Sequence, residues 1–189
     1  STRDWSSDVC SSDLYSMAYY LTQVNFVIIR TFGKGAAHPR TVLNLGSGRK
    51  YIDLDGFVNI DGNIFQKKDI WLDLRVGVPF AEESISGIFT SHLVEHLSAS
   101  ELIKLFKNCY QVLQSGGVIR IVCPSLEKAV DAYVKNDLSF FGTYPDSWNS
   151  IGGRFGNFLL CANQHRLMLD FGFLSEILNS TGFKKVVLS

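Results

Sequence analysis

From Thr41 onward, short apolar runs alternate with stretches of helical periodicity, and this alternation constrains the fold more than any other feature of the sequence. Short β-branched and aliphatic runs predict strands, and helices between them favour a sheet whose strands run parallel. The pattern therefore predicts an α/β fold in three layers, with a mostly parallel sheet and helices on both faces. The predicted strands are Thr41–Leu45, Phe57–Ile60, Asp69–Leu74, Ile85–Thr90, Val118–Cys123 and Phe183–Leu188.

The clearest predicted helix is Ser98–Val112. Its first turn carries Ser98 and Glu101 at the spacing of a capping box, and its apolar residues fall on one face. The Gly116-Gly117 pair that follows predicts a C-cap and a turn before the next strand. Two further helices are predicted at Leu126–Val134 and Phe173–Asn179.

The least regular stretch is Asp137–Gly156, where aromatic residues are interspersed with glycines and polar residues. A long loop inside a compact domain is usually functional or poorly ordered. Residues 137–158 are therefore predicted to form an aromatic loop, and this loop is a candidate lid over a substrate.

The two ends of the chain are interpreted separately. Trp5–Leu14 reads WSSDVCSSDL, which resembles the translation of a short-read sequencing adapter, so residues 1–14 are interpreted as an artefactual or disordered tail. Residues 15–40 form an N-terminal apolar segment that polar residues interrupt too often for a membrane span. Residues 41–189 form the predicted domain, and its end just after a strand suggests a C-terminal truncation in which the final strand is missing.

Composition excludes several classes of function. The 189 residues suffice for one domain with a full core, and the formal net charge of zero gives no basic stripe for a nucleic-acid partner. None of the four cysteines has metal-ligand spacing, so they are interpreted as buried thiols in a reducing, cytoplasmic environment.

Polar residues follow the first three predicted strands, where open α/β sheets bind their ligands. Leu43–Gly48 is a strand followed by a glycine turn, whose backbone allows close approach and whose N–H groups are suited to an anion. Asp61 ends the second strand, where a carboxylate can accept both hydroxyls of a ribose. Asp73 ends the third. A helix cap or a turn aspartate is the alternative interpretation of each acid.

Taken in order, the motifs LNLGSG, GFVNID, DIWLDL, VPFAEESISGIFTSHLVEHL and SGGVIRIVCPSLEK resemble a class I S-adenosylmethionine-dependent methyltransferase with a Rossmann-like sheet. More narrowly, they are similar to small bacterial methyltransferases associated with surface-sugar biosynthesis. The match is close from Thr41 to about Lys128. It implies S-adenosyl-L-methionine as cofactor and methyl transfer to a small-molecule or carbohydrate acceptor.

The resemblance implies a role for individual residues. The glycine turn would pass under the methionine part of the cofactor, Asp61 would hold the ribose, and Asp73 with the Leu74 backbone would meet the adenine. Ser91 and His92 would flank the cofactor and face the substrate, while Glu95 and His96 match a Glu-His pair of the family. The implied cofactor-binding residues are Gly46, Ser47, Gly48, Asp61, Asp73, Leu74, Ser91 and His92.

The sequence also suggests three rival functions, of which a dehydrogenase and a pseudo-enzyme remain open. His92 to His96 spells the H-x-x-E-H pattern of zinc proteases, but it directly follows a strand instead of lying on a long helix, so no metal site is predicted. A nicotinamide-dependent dehydrogenase would carry a third glycine where Tyr51 stands. A pseudo-enzyme would bind the cofactor without turnover.

His165 is the candidate catalytic residue, because a histidine after the aromatic loop is suited to deprotonate a hydroxyl or amine nucleophile. The alternative is a histidine that caps the following helix or is hydrogen-bonded inside the loop. Methyl transfer itself is an in-line displacement at a sulfonium that already carries a good leaving group, so the protein mainly positions the partners and excludes water.

Overall fold

The computed structural model of the chain describes residues 19–31 and 40–189. Residues 19–31, within the N-terminal apolar segment, form helix α1. The interpretation of residues 1–14 lies outside the described residues. The remaining elements are β1 (Val42–Leu45), β2 (Phe57–Asp61), β3 (Ile70–Trp71), β4 (Ile85–Ser91), a 3₁₀ helix (Val94–His96), α2 (Ala99–Val112), β5 (Leu113–Val122), α3 (Leu126–Val134), α4 (Ile151–Leu160) and α5 (Phe171–Ser180).

The five strands form one sheet in the order β3-β2-β1-β4-β5. β1 pairs in parallel with β2 and with β4, and β2 pairs in parallel with β3. β5 runs in the same direction beside β4, because Ser84 N–H donates to the Val112 carbonyl at one end and His92 N–H donates to the Val122 carbonyl at the other. The predicted three-layer α/β fold is confirmed. The strand order reverses at β1 and β4, which is where such sheets bind ligands.

The first connection in the sheet has no helix. Residues 46–56 link β1 to β2 through turns and bends alone. Parallel strands usually need a crossover of a dozen or more residues, most often a helix. The short spacing between Gly48 and Phe57 therefore leaves this crossover to be held by side chains.

Buried apolar residues lie in the central strand and on one face of α2. Leu43 and Leu45 of β1 are buried, as are Leu102 and Phe106 of α2. The capping box predicted for this helix is present, since Ser98 N–H and Oγ each lie 2.8 Å from a Glu101 carboxylate oxygen. The alternating pattern of the sequence thus places the buried residues correctly in these two elements.

The chain divides into two compact units. One contains the described residues up to Thr90 together with Lys107–Ile121, and the other contains Ser91–Phe106 and Val122–Ser189. In the second unit, Phe155 and Phe158 of α4 pack against a small cluster formed by Ala129, Ala132 and Phe141.

Four sequence predictions differ from the structure. The Gly116-Gly117 pair does not end α2; both glycines lie inside β5, which begins directly after the helix. Residues 137–158 are not a loop throughout, because α4 begins at Ile151 with Ser150 as its N-cap. No strand forms at Phe183–Leu188 within the described chain, and β3 is shorter than predicted.

Cysteine chemistry separates one thiol from the others. Cys109 is completely buried, and burial raises the pKa of its thiol to about 12, as expected for a structural cysteine. Cys123 and Cys161 are half-buried free thiols. Burial, followed by the charge of Glu95, raises the pKa of Cys123 to about 11.

Helix α1 makes a polar contact with β3 in the same unit. Asn25 Nδ2 donates to the Trp71 carbonyl at 2.6 Å, while Tyr20, Val24 and Val27 are exposed. Within the part of the chain that the structure describes, no helix combines the length and apolar character needed to cross a membrane.

The burial of β1 predicts a strong effect of truncating its core leucine. Leu43→Ala should lower the free energy of unfolding by about 2–5 kcal/mol, because it removes buried methyl groups and leaves a cavity. Urea unfolding followed by circular dichroism measures this change. Leu54→Ala, which truncates a leucine that is 65% exposed, is the matched control and should change stability by less than about 0.5 kcal/mol. Equal losses for both variants would contradict the assignment of β1 to the core.

Candidate functional site

The backbone N–H groups of the glycine turn after β1 are hydrogen-bonded to residues of β2. Gly46 N–H and Ser47 N–H both donate to the Ile60 carbonyl, at 2.9 and 3.2 Å, and Gly48 N–H donates to Asp61 Oδ2 at 2.7 Å. Gly46 and Gly48 have φ of +66° and +47°, a left-handed conformation that favours glycine. The sequence suggested an anion site of free N–H groups here, and the structure differs, because these three donors already have acceptors.

Two buried hydroxyls lie at the carboxyl ends of the neighbouring strands β1 and β4. Ser47 Oγ and Thr90 Oγ1 are buried and have no hydrogen-bond partner among the described residues. Thr90 pairs with Leu45 in the sheet, two residues before Ser47. A Cβ on Gly48 would meet only the Gly46 carbonyl oxygen, at 3.9 Å. Buried hydroxyls are normally hydrogen-bonded, so this edge has unused capacity for a polar ligand.

Asp61 ends β2 and joins it to the glycine turn. Besides the bond to Gly48, its Oδ1 accepts from Asn63 N–H at 2.6 Å, and the residue is only 8% exposed. A carboxylate has about four lone-pair sites, so each oxygen can still accept a further donor. The predicted position of this acid beside the glycine turn therefore agrees with the structure, as does its role in a turn.

Asp73 makes the contacts of a turn aspartate, which is the alternative interpretation of this acid from the sequence. Its carboxylate receives both Nε and Nη2 of Arg75, the latter at 2.5 Å, and also accepts Arg75 N–H. Leu74 is buried, and its carbonyl accepts from Gly77 N–H at 3.2 Å. A ligand at this position would share the Asp73 carboxylate with the Arg75 guanidinium.

Sequence reasoning missed Asn59, the residue that organises the connection between β1 and β2. Asn59 is fully buried in β2 and pairs in register with Asn44 of β1. Its Oδ1 accepts from Asn44 Nδ2 at 2.8 Å and from Ile52 N–H at 2.9 Å, and its Nδ2 donates to the Ile52 carbonyl at 3.0 Å. Two asparagines at equivalent positions of adjacent apolar strands were the available signal.

Asp69 completes the same network. Its Oδ2 accepts from the backbone N–H and from Nδ2 of Asn59, at 2.7 and 2.9 Å, and its Oδ1 accepts from Tyr51 Oη at 2.8 Å. Burial acts to raise the pKa of Asp69, but the hydrogen bonds from Asn59 and Tyr51 and the charge of Lys67 together outweigh it and lower that pKa below its ordinary value. Asp69 is therefore a charged anchor for the crossover segment.

In the second unit, the residues after β4 form a compact polar turn. Ser91 is the last residue of β4, and His92 follows with a φ of +55°. His92 Nδ1 lies 3.1 Å from Glu95 Oε1, and Glu95 is only 2% exposed with no partner for its Oε2 among the described residues. The segment Val94–His96 is a single 3₁₀ turn, so the long helix that a zinc protease needs for H-x-x-E-H does not form here.

His165 lies close to this turn. Its Nδ1 lies 3.0 Å from the Leu159 carbonyl, and its ring meets the His96 ring edge-on with centroids 5.1 Å apart. Burial is the main cause that lowers the pKa of His165, and the neighbouring histidines act in the same direction against Glu95. The hydrogen bond within the loop matches the alternative interpretation of this residue, and it leaves Nε2 as the available nitrogen.

A small pocket in the same unit is lined by Glu95, His165 and apolar side chains. It contains about 230 Å³ of empty space that includes open solvent, and Glu95 and His165 are the ionisable groups in its wall. The rest of the wall is formed by Pro124, Leu126, Phe158, Leu159, Leu167, Met168 and Leu169. Its wall is apolar with a few polar groups, as in small-molecule sites, but it is smaller than the pockets of about 300–1,000 Å³ that usually hold such ligands.

Comparison with known proteins identifies the class of this fold. The model of a family described as a methyltransferase domain matches residues 65–121, which run from just before β3 into β5. A S-adenosylmethionine-dependent methyltransferase from Archaeoglobus fulgidus has a similar structure, with a TM-score of 0.51, 17% identity, and coverage of 86% of this chain and 69% of that chain. The fold is therefore the one found in that enzyme.

Other similar structures align less well. A S-adenosylmethionine-dependent methyltransferase described as putative, from Methanococcus maripaludis, has a TM-score of 0.42 at 16% identity and covers 95% of this chain and 83% of that chain. Phosphoethanolamine N-methyltransferase 2 of Haemonchus contortus has a TM-score of 0.45 at 16% identity; the match covers 88% of this chain but only 40% of that enzyme. No curated protein matches the chain in sequence.

The Asn59 network predicts a large effect of removing its amide. Asn59→Ala removes the side-chain hydrogen bonds to Asn44, Ile52 and Asp69 and should lower the free energy of unfolding by about 1–3 kcal/mol. Urea unfolding measures the loss, and Asn149→Ala, at an exposed asparagine, is the control with little expected change. An Asn59→Ala protein as stable as the control would show that the network does not hold the crossover.

Proposed function

We propose that the chain is a class I methyltransferase that uses S-adenosyl-L-methionine and transfers a methyl group to a small-molecule or carbohydrate acceptor. The observation that carries this proposal is the edge formed by β1, β2 and β4. There Asp61 contacts the glycine turn, and two buried hydroxyls have no hydrogen-bond partner among the described residues. The match of residues 65–121 to a methyltransferase domain supports the same function.

The residues present fit the cofactor. Ser47 Oγ offers an unused polar group, Gly48 leaves open space where a side chain would stand, and Asp61 keeps lone pairs for the two hydroxyls of a ribose. Gly46 keeps the turn in its left-handed conformation. When bound, the cofactor supplies an electrophilic methyl group on a sulfonium. The chain contributes the binding and the orientation.

The remaining assignments are extensions of the same proposal. Asp73 and Leu74 would contact the adenine, with the Asp73 carboxylate shared between the ligand and Arg75. Ser91 and His92 follow β4 and would flank the cofactor on the acceptor side. The support for all four residues is their location at or after the carboxyl ends of the strands, where this fold binds its ligands.

On the acceptor side, His165 is proposed as the general base. Its Nδ1 faces the Leu159 carbonyl, which only accepts hydrogen bonds, so the neutral ring carries its hydrogen on Nδ1 and keeps the Nε2 lone pair. That lone pair can take a proton from an acceptor hydroxyl or amine. The aromatic segment before α4 is the proposed lid, and its rings are suited to stack on a sugar or an aromatic acceptor.

The role of Asp61 is tested by ligand binding. Asp61→Ala should weaken the binding of S-adenosylmethionine by about 1–3 kcal/mol, measured by calorimetry, because it removes the acceptor of the ribose hydroxyls. Asp53→Ala, at a carboxylate that is 87% exposed, is the control and should bind like the original chain. Circular dichroism establishes that the variants are folded. An unchanged affinity in Asp61→Ala, or tighter binding of a nicotinamide dinucleotide by the original chain, would contradict the proposal.

The role of His165 is tested by turnover. With a pool of sugars, nucleotide sugars and hydroxylated aromatics, the chain should release S-adenosylhomocysteine, and His165→Ala should slow this release by about 10²–10⁴-fold without weakening cofactor binding. Gln164→Ala changes an exposed neighbouring side chain and is the matched control. Cofactor binding without release of product from any acceptor would favour a pseudo-enzyme instead.

A further inference from the structure

We infer that Glu95, His96 and His165 form a binding site for a divalent transition metal of the zinc type. One potential ligand atom from each residue lies within 4.8 Å of the other two. Two histidines and one carboxylate are a donor set that zinc and related divalent metals accept in proteins. All three residues belong to the unit of Ser91–Phe106 and Val122–Ser189.

The hydrogen bonds of both histidines leave the correct nitrogen for a metal. His96 Nδ1 lies 3.0 Å from the Gln164 carbonyl, and His165 Nδ1 lies 3.0 Å from the Leu159 carbonyl. A carbonyl only accepts, so in the neutral rings each Nδ1 carries the hydrogen and each Nε2 keeps its lone pair. A backbone carbonyl that fixes the tautomer in this way is the usual partner of a metal-ligating histidine.

Glu95 supplies the second, independent observation. Its Oε1 interacts with His92, but its Oε2 is buried without a hydrogen-bond partner among the described residues, and the side chain is only 2% exposed. A buried carboxylate oxygen without a partner is costly unless a cation compensates it. A metal ion held between Oε2 and the two histidines would remove this cost.

The backbone holds the three ligands in place. The Glu95 carbonyl accepts from the N–H groups of Arg166 and Leu167, at 2.7 and 3.2 Å, so the segment with His165 is fixed to the turn with Glu95 and His96. Arg166 also pairs with Glu101 at the start of α2. The ligands are therefore positioned before a metal arrives.

This site differs from the H-x-x-E-H pattern in its ligands. That pattern would use His92 and His96 as ligands and Glu95 as a base. Here Glu95 is itself a ligand, and His165 comes from a distant part of the sequence, while His92 contacts the other carboxylate oxygen. Three protein ligands leave a coordination position open, as in catalytic rather than structural zinc sites.

The metal site does not depend on the proposed methyl transfer. It uses no residue of the glycine turn, and its test requires neither cofactor nor acceptor. The two roles given to His165 exclude each other in one molecule, because a single Nε2 lone pair cannot bind a metal and accept a proton. Cofactor binding and metal binding therefore fail or succeed separately.

The test is a titration of the full chain, freed of metal with a chelator, with Zn²⁺ followed by calorimetry and with Co²⁺ followed by visible absorption. We expect one ion per chain, a higher Tm with Zn²⁺, and at least tenfold weaker binding in Glu95→Gln, His96→Ala and His165→Ala. Cys161→Ser and Gln164→Ala are the controls and should bind within about threefold of the original chain. His92→Ala removes only a hydrogen bond to Glu95 and should weaken binding less than His96→Ala does.

Several outcomes would overturn the inference. These are no binding at stoichiometric concentrations, binding that the three ligand variants leave unchanged, or a loss of binding in His92→Ala as large as that in His96→Ala. Circular dichroism identifies any variant that fails to fold. His96→Ala is the decisive variant if Glu95→Gln is unstable, because the His96 side chain is only partly buried.

Discussion

The buried amide of Asn59 is the interaction on which the first half of the fold depends. Parallel strands are normally joined by a helix that covers the sheet, but the chain between β1 and β2 has none. Asn59 replaces it, because its side chain binds Asn44 of the neighbouring strand, both polar backbone groups of Ile52 and the carboxylate of Asp69. In a low-dielectric interior each of these groups must find a partner, so the network also fixes the register of the two strands.

The local patterns of the sequence predicted the elements that local chemistry determines. Strand β2 and helix α3 begin where the apolar periodicity begins, and the capping box at Ser98 is present because its partners are three residues apart. The failures have a different cause. Helix α4 contains Gly152, Gly153 and Gly156, which weaken helix propensity, and it forms because Phe155 and Phe158 pack against α3 and Phe141. Packing of this kind cannot be read from the segment itself.

The candidate sites show the same division. Asp61 was predictable because it follows a recognisable strand, and its contact with Gly48 agrees with that position. Asp73 was assigned on equal grounds, yet Arg75, two residues away, occupies its carboxylate. The cluster of Glu95, His96 and His165 escaped prediction because its members are separated by a long stretch of sequence. Contacts between distant residues, such as the backbone bonds from Arg166 and Leu167 to Glu95, bring them together. Residue type and sequence spacing do not indicate that these three side chains come within 4.8 Å of one another.

The hydrogen bonds already made by the glycine turn limit the ligands that it can bind. A dinucleotide-binding turn directs free N–H groups at a pyrophosphate, and the local potential there is positive. Here the N–H groups of Gly46 and Ser47 donate to the Ile60 carbonyl, and that of Gly48 donates to the Asp61 carboxylate. The turn therefore has no free N–H donor at these three residues. It offers a ligand mainly the Asp61 carboxylate and the Ser47 hydroxyl. Such groups suit a ligand that brings hydrogen-bond donors, such as hydroxyls, better than one that brings phosphate oxygens.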